Sequence, residues 1–288
     1  MIQTIINGIA EGSIYAIIAV GLVFIHKVTE VANFAQGELA MVATFIGFTA
    51  LQHFGVPLPV ALLVGLASAA CLGYLLERWI IRPVSGSGLL GTTIVTLGIF
   101  YVLHGGALVL WGPDVRPFPS LFGSGSIELG GVLISSQHLA IMVTALAAAL
   151  GLTCLLKFTR LGLAMRAVPQ NRTGARVIGL DLHRIFGLTW LVGAAVSALA
   201  GFLLAPLMFL SANMMMGALI NAFAAAVLGG LDSLLGSFVG GILLGVVENV
   251  IVAYTSSALK DSLAFLFIIL ALLIRPEGLF QSRRSEKA

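Results

Sequence analysis

Apolar residues in this chain fall in long unbroken runs, near residues 5–25, 34–52, 58–79, 89–110, 138–157, 185–209, 235–254 and 260–274. Most approach or exceed the roughly 20 residues that a helix needs to cross a bilayer. Strands of a membrane barrel alternate apolar and polar positions, and these runs do not, so each predicts a helix. A ninth stretch, MGALINAFAAAVLGG at 216–230, is shorter and carries Asn221. It reads as a crossing, a half-helix or a re-entrant turn, and an interrupted element is stable only where protein or a water-filled cavity covers its backbone. The pattern predicts an all-α integral membrane protein, with one transmembrane domain over residues 1–288. That domain is expected to be a polytopic bundle of about 8–9 transmembrane helices.

Composition closes off the soluble alternatives. With 59% hydrophobic and 9% charged residues and a mean hydropathy of +1.09, the chain has too little polar material to clothe a globule in water. The first run lacks a basic flank, carries Glu11 and shows no clear small-residue cleavage site, so it reads as a retained helix rather than a leader. Cys71 and Cys154 lie in apolar runs without metal or redox spacing and are expected as small core residues. The histidines are scattered singly, without the spacing of metal ligands.

Charge concentrates in one place. TRLGLAMRAVPQNRTGARVIGLDLHRI, residues 159–185, holds five arginines. Basic loops stay in the cytoplasm. If the loop at 159–184 is cytoplasmic and 216–230 crosses, alternation places Lys27, Arg78, Arg82 and the 275–288 tail on that same side. Arg116, Lys260 and the N-terminus then lie outside. In the external loop at 111–137, WGPDVRPFPS is too rich in proline for regular structure, whereas SIELGGVLIS presents two short β-prone runs around Gly130-Gly131, a hairpin signal. Such a hairpin suits either a contact with a soluble partner or a lid over helix ends.

The cytoplasmic loop has its own punctuation. Arg160–Val168 reads as helix, which Pro169 disfavours from continuing. Asn171 is then a good N-cap, Arg172–Ile178 makes about two turns, and Gly179 stands where a left-handed C-cap belongs. A rod this short is not stable alone. Its apolar Ala175, Val177 and Ile178, with Arg172 and Arg176 one turn apart, suit docking into a cleft on a cytosolic protein; a topology-setting basic loop is the plainer reading.

Lipid gives helices no hydrophobic reason to associate, so close packing through small residues does that work. Gly8/Gly12, Gly236/Gly240 and Gly241/Gly245 repeat the four-residue spacing, for packing within the chain or for a dimer seam. Polar groups in apolar runs are costly, which makes Glu11, Asn33, Gln36, Glu38 and Glu248 candidates for a translocation path or for interhelical contacts. Glu77 beside Arg78 and Arg82 reads instead as charge pairing at a cytoplasmic helix end. No GxxxxGKS/T phosphate loop, HExxH or Ser/His/Asp arrangement is present, so energy must come from a partner or from an ion gradient. A stand-alone secondary transporter driven by such a gradient is the rival class.

The segment LGLAMRAVPQNRTGARVIGLDLHRI resembles the cytoplasmic coupling loop of ABC-importer permeases of the branched-chain amino acid type, the LivH-like subfamily. NGIAEGSIYAIIAVGLVFIHKVTEVANFAQGELAM is similar to that family's N-terminal signature. ERWIIRPV, AFAAAVLGGLDSLLGSFVGGILLGVVE and KDSLAFLFIILALLIRPEGLF are similar to later blocks in the same order. The resemblance implies a non-catalytic permease subunit of the bacterial inner membrane that works by alternating access. Its implied partners are a second related permease, two cytosolic ABC ATPase subunits and an extracytoplasmic solute-binding protein. ATP and magnesium belong to the ATPases, and no cofactor is expected in this chain. Branched-chain or other small amino acids are the implied solute, with urea, short amides and carboxylates as alternatives within the family.

Coupling positions carry over onto Gly162, Arg166, Ala167, Asn171, Ala175 and Gly179, and the membrane motif onto Asn33, Phe34, Ala35, Gln36, Gly37 and Glu38. Gln36 stands where many relatives have His, which removes a titratable group. Gln170, Asn171 and Arg172 stand where the family often has an acidic residue and a proline, implying a more acidic ATPase partner. On this reading Ala175→Asp or Arg166→Glu is expected to abolish uptake without removing the protein from the membrane.

Overall fold

The computed structural model describes residues 1–120, 123, 125–129, 132–255, 260–274 and 278–280. In order, α1 (Ile2–Thr29), α2 (Gln36–Phe54) and α3 (Leu58–Leu76) are followed by a π-helical stretch, Glu77–Ile81, and by the short α4 (Arg82–Val84). Next come α5 (Gly88–Trp111), β1 (Ser126–Leu129), β2 (Val132–Ser135) and α6 (Ser136–Phe158). The chain continues through α7 (Arg160–Gln170), α8 (Arg172–Val177), α9 (Leu182–Met208), α10 (Met216–Gly229), α11 (Leu234–Tyr254) and α12 (Lys260–Ile274). Among the described residues six helices are long and apolar enough to cross a membrane: α1, the continuous Leu58–Val84 run, α5, α6, α9 and α11.

The two ends of the bundle differ in chemistry. At one end the side chain of Gln3 pairs with the backbone of Leu133 in β2, with Nε2 donating to its carbonyl at 2.9 Å. There too, Arg116 and Leu210 form a two-way backbone bridge. At the other end, a full helix length away, Lys27 donates to the carbonyl of Asp232, and Arg172 meets Glu30. The basic end also gathers Arg82 and the arginines of α7 and α8. The chain from Leu210 to Asp232 therefore runs from one end of the bundle to the other, so the 216–230 segment is not a re-entrant turn. The described C-terminal residues return to the basic end, where Leu279 N–H donates to Leu228 and Phe280 N–H to Gly229.

Glycine spacing accounts for the tightest packing. A Cβ on Gly12 would stand 2.6 Å from the Gly241 carbonyl, and one on Gly8 would stand 2.7 Å from Val246 Cα, so α1 and α11 cross backbone to backbone. Gly240 meets the Ala225 carbonyl of α10 at the same kind of distance, 2.5 Å. The four-residue repeats are thus seams within the chain. α1 lies in the middle, packed by α6, α9, α10 and α11.

Three expectations change. The third apolar run does not stop near residue 79 but continues as helix to Val84, through a widened turn ahead of Pro83, which has no N–H to give. Pro169 likewise lies inside α7, in its last turn, where losing one donor is tolerable; Asn171 N–H still reaches Ala167. Cys71 and Cys154 are free and exposed on the outer faces of α3 and α6, not core residues. The hairpin is present, with Ser126 opposite Ser135 and Leu129 opposite Val132, while its Gly130-Gly131 turn and most of the 275–288 tail lie outside the described residues.

Candidate coupling and translocation sites

The basic loop folds as two capped helices. Thr159 caps α7 by accepting from Gly162 N–H at 2.9 Å. Asn171 caps α8 by accepting from Gly174 N–H at 2.7 Å. α8 ends on Gly179, whose φ of +83° suits a residue without a Cβ. Gly179 N–H donates to Arg176 and Leu180 N–H to Ala175, both at 3.0 Å, so the last carbonyls are satisfied in a Schellman pattern.

The carried-over coupling positions divide into two groups. Gly162 is buried and its Cα presses on the Leu155 and Leu156 backbone at the end of α6. Ala175 is only 3% exposed and seats α8 on its own chain. Ala167 is half-buried. Arg166, Asn171 and Gly179 are exposed. The apolar surface that α8 offers outward is Val177, 81% exposed, and Ile178, 73% exposed. Ala175 is therefore not part of the free face that its sequence neighbours suggested.

Arg172 fixes α8 to the membrane helices. Its Nη2 lies 2.7 Å from Glu30 Oε2 and 3.4 Å from the Thr29 carbonyl, and its guanidinium stands 5.7 Å from the Phe186 ring centre. Glu30 is the C-cap of α1, at a φ of 62°. Arg172 and Arg176 border one cavity of about 500 Å³, together with Arg82 and His183. Arg166, Lys27 and Lys157 border a second, of about 530 Å³.

The five candidate path residues form three separate clusters. In the first, Asn33 Nδ2 donates to Gln36 Oε1 at 2.6 Å, and Gln36 Nε2 donates to Gly193 carbonyl at 2.9 Å and to Ser197 Oγ at 2.5 Å. These bonds fasten the start of α2 to the middle of α9. In the second, Glu38 is buried on α2 with Oε2 at 3.3 Å from His104 Nδ1 of α5. In the third, Glu11 accepts from Asn249 Nδ2 at 3.0 Å, and buried Glu248 and Asn221 stand with Glu11 around Tyr15. Asn33 spends its amide on local bonds at the start of α2, to Gln36 and from Ala35 N–H, and Gln36 spends its own on the bonds to α9. Glu38, Glu11 and Glu248 are the members that retain ionisable oxygens inside the bundle.

The whole chain can now be placed among known proteins. Residues 4–273 match the model of the branched-chain amino acid transport system / permease component family. The chain belongs to that family. Among relatives of this permease, LivH of the high-affinity branched-chain amino acid transport system of Salmonella typhimurium (strain LT2) is 33% identical, covering 99% of this chain and 97% of its own. BraD of Pseudomonas aeruginosa is 32% identical over the same shares. The probable LivH of Methanocaldococcus jannaschii is 29% identical, covering 95% of this chain and 90% of its own.

Several partners in this permease escaped the sequence reading. Ser197, His104, Tyr15 and Asn249 each complete a buried polar contact, yet a lone polar residue in an apolar run names no partner. Gln137 Nε2, donating to the Leu203 carbonyl at 2.8 Å, was equally silent. The Glu77–Arg82 pair was expected, but not its geometry. Residues five apart do not face each other on an α-helix. The π-helical turn brings them together, with Arg82 Nη2 at 2.8 Å and Nε at 3.3 Å from the carboxylate oxygens.

Proposed function

We propose that this permease is the membrane subunit of an ATP-driven importer that carries branched-chain amino acids across the bacterial inner membrane by alternating access. The observation that carries the reading is the end-to-end likeness to LivH, 33% identity over 99% of the chain, because that relative's own name specifies branched-chain amino acid transport. In this reading α8 docks on a cytosolic ATPase through Val177, Ile178 and the arginines beside them, and Ala175 and Gly162 seat the loop. Two ATPase subunits hold ATP and magnesium, a second related permease completes the membrane core, and an extracytoplasmic protein delivers the solute. α2, α10 and α12 join the six long helices as passages, making about nine. In this reading an odd count separates Met1 from the basic end, and the concentration of arginines there assigns that end to the cytoplasm and Met1 to the outside. Nucleotide and loaded binding protein each bias the permease only through their differential affinity for its two states. Glu38, with Glu11 and Glu248, borders the route that opens between those states.

The test is affinity purification of the chain from its native membrane. Recovery of an ATPase pair and a second permease, with ATP hydrolysis stimulated by leucine-loaded binding protein, is the expected result. A chain that purifies alone and transports in ATP-free liposomes would belong to a secondary transporter instead. Val177→Asp and Arg166→Glu are expected to cut uptake at least about 10-fold at normal membrane abundance, since each puts a repulsive charge at a fitted contact. Ala175→Asp also stops uptake, but by burying a carboxylate under α8.

A further inference from the structure

A third cavity, of about 280 Å³, opens at the external end, bordered by Phe48, Thr49, Gln52, His53, Leu110, Trp111 and Arg116. Arg116 is held there with unusual firmness for a loop residue. Its backbone pairs both ways with Leu210 at 2.9 Å, its Nη2 donates to the Trp111 carbonyl at 2.5 Å, and its guanidinium stands 6.0 Å from the Phe48 ring centre. The walls are equally fixed. Trp111 stacks on Phe45 and donates Nε1 to Thr49 Oγ1 at 2.8 Å, and Phe48 packs on Phe118. An arginine side chain carries five N–H donors in a planar fork that matches a carboxylate. The Trp111 carbonyl takes one of them, and among the described residues no carboxylate pairs with Arg116.

We propose that this cavity is the external receiving site for the solute, with Arg116 binding its α-carboxylate. Phe48, Leu110 and Trp111 offer an apolar wall to an aliphatic side chain, and the Gln52 amide carbonyl is an acceptor for the ammonium group. The inference rests on the importer reading and supplies the solute contact that reading leaves unnamed. Among the described residues no acidic side chain borders the cavity, so the ammonium is held by neutral acceptors. Such a site binds weakly, as a point of passage must. The half-buried position of Arg116 beside the Phe48 ring fits a small zwitterion better than a flat protein contact.

The experiment uses the complete importer in nanodiscs without its binding protein, probed by saturation-transfer NMR with L-leucine and with L-leucinol, which lacks the carboxylate. The expected result is transfer to the leucine methyl groups, with leucinol at least about 10-fold weaker. Arg116→Gln removes the leucine signal and Arg116→Lys keeps part of it. Because the bridge to Leu210 is made by backbone atoms, both variants retain the loop, which an unchanged melting temperature verifies. Unchanged leucine transfer in Arg116→Gln overturns the proposal. So does unchanged transfer accompanied by weakened binding-protein affinity, which would hand Arg116 to an acidic side chain of that protein. A wild-type complex that takes up no branched-chain amino acid overturns the importer reading and this one together; normal uptake with an unaltered Arg116→Gln signal overturns this one alone.

Discussion

α1 and α5 are near twins by hydropathy, 2.0 and 1.9 over their most apolar windows, yet 89% of the first window is buried inside the protein and 17% of the second. Hydropathy reports that a helix leaves water; it is silent on whether lipid or protein replaces the water. Nor does glycine content separate them, since α5 contains Gly98, Gly105 and Gly106. What differs is the partner. Gly8 and Gly12 face Gly245 and Gly241 across the α1–α11 crossing, whereas a Cβ on Gly98, Gly105 or Gly106 would meet nothing within 4 Å among the described residues. A small residue makes a helix central only when a second helix brings a matching gap at the same height.

The largest expected effect tests that contrast directly. Gly12→Leu forces four extra carbons into a backbone crossing and is expected to prevent stable insertion. Even Gly12→Ala should destabilise by about 1–3 kcal/mol, because the atom it meets is the Gly241 carbonyl and not a movable side chain. Gly105→Ala in α5 should be neutral or stabilising by up to about 1 kcal/mol, through helix propensity alone. Membrane abundance and the melting temperature of the purified chain decide it. Equal loss from both substitutions would mean that α5 is as closely packed as α1.

How much of this was legible in the sequence follows from the same distinction. Apolar runs located the long helices, and the cap residues Asn171 and Gly179 located α8, because both signals are local. The Gly8/Gly12 and Gly241/Gly245 spacings marked the seam, but their pairing required the fold, since either could have faced another molecule. Burial was the least legible property. Ala175 lies within one turn of exposed Thr173, Arg176 and Val177, and only the seat of α8 on its own chain shows that it faces inward. The Glu77–Arg82 pair depends on a widened helical turn that no spacing rule anticipates.

A middle-sized effect is expected where polarity rather than glycine joins the helices. Gln36→Leu leaves Asn33 and Ser197 without their partner in the bundle interior and should destabilise by about 1–3 kcal/mol. Thr93→Val on α5 loses only a bond to the Leu89 carbonyl of its own helix and should change stability by less than about 0.5 kcal/mol. Thermal unfolding in matched detergent compares them, and a Thr93→Val loss as large as that of Gln36→Leu would remove the distinction between the two helices.

The smallest effect is at the residue that caps the C-terminus of each helix. α5 ends on Gly112 with φ at +79°, whereas α1 ends on Glu30 at +62°, a backbone region where a side chain is strained. Glycine would be the relaxed choice at both ends, so Glu30 is retained for what its carboxylate does, which is to hold Arg172 of α8 against the end of α1. Both side chains are largely exposed, which limits the pair to about 0.2–1 kcal/mol. Glu30→Gln keeps the strain and loses the pair, so it should destabilise slightly, and the difference from wild type should vanish in high salt. Glu30→Gly loses the pair but relieves roughly 1–2 kcal/mol of left-handed strain, and should leave stability level or raised. If both variants nonetheless lose uptake relative to ATP hydrolysis, the pair acts in transmission from α8 to α1 and not in stability. If both keep the ratio, α8 is held by Ala175 and Phe186 alone and Glu30 is expendable to coupling.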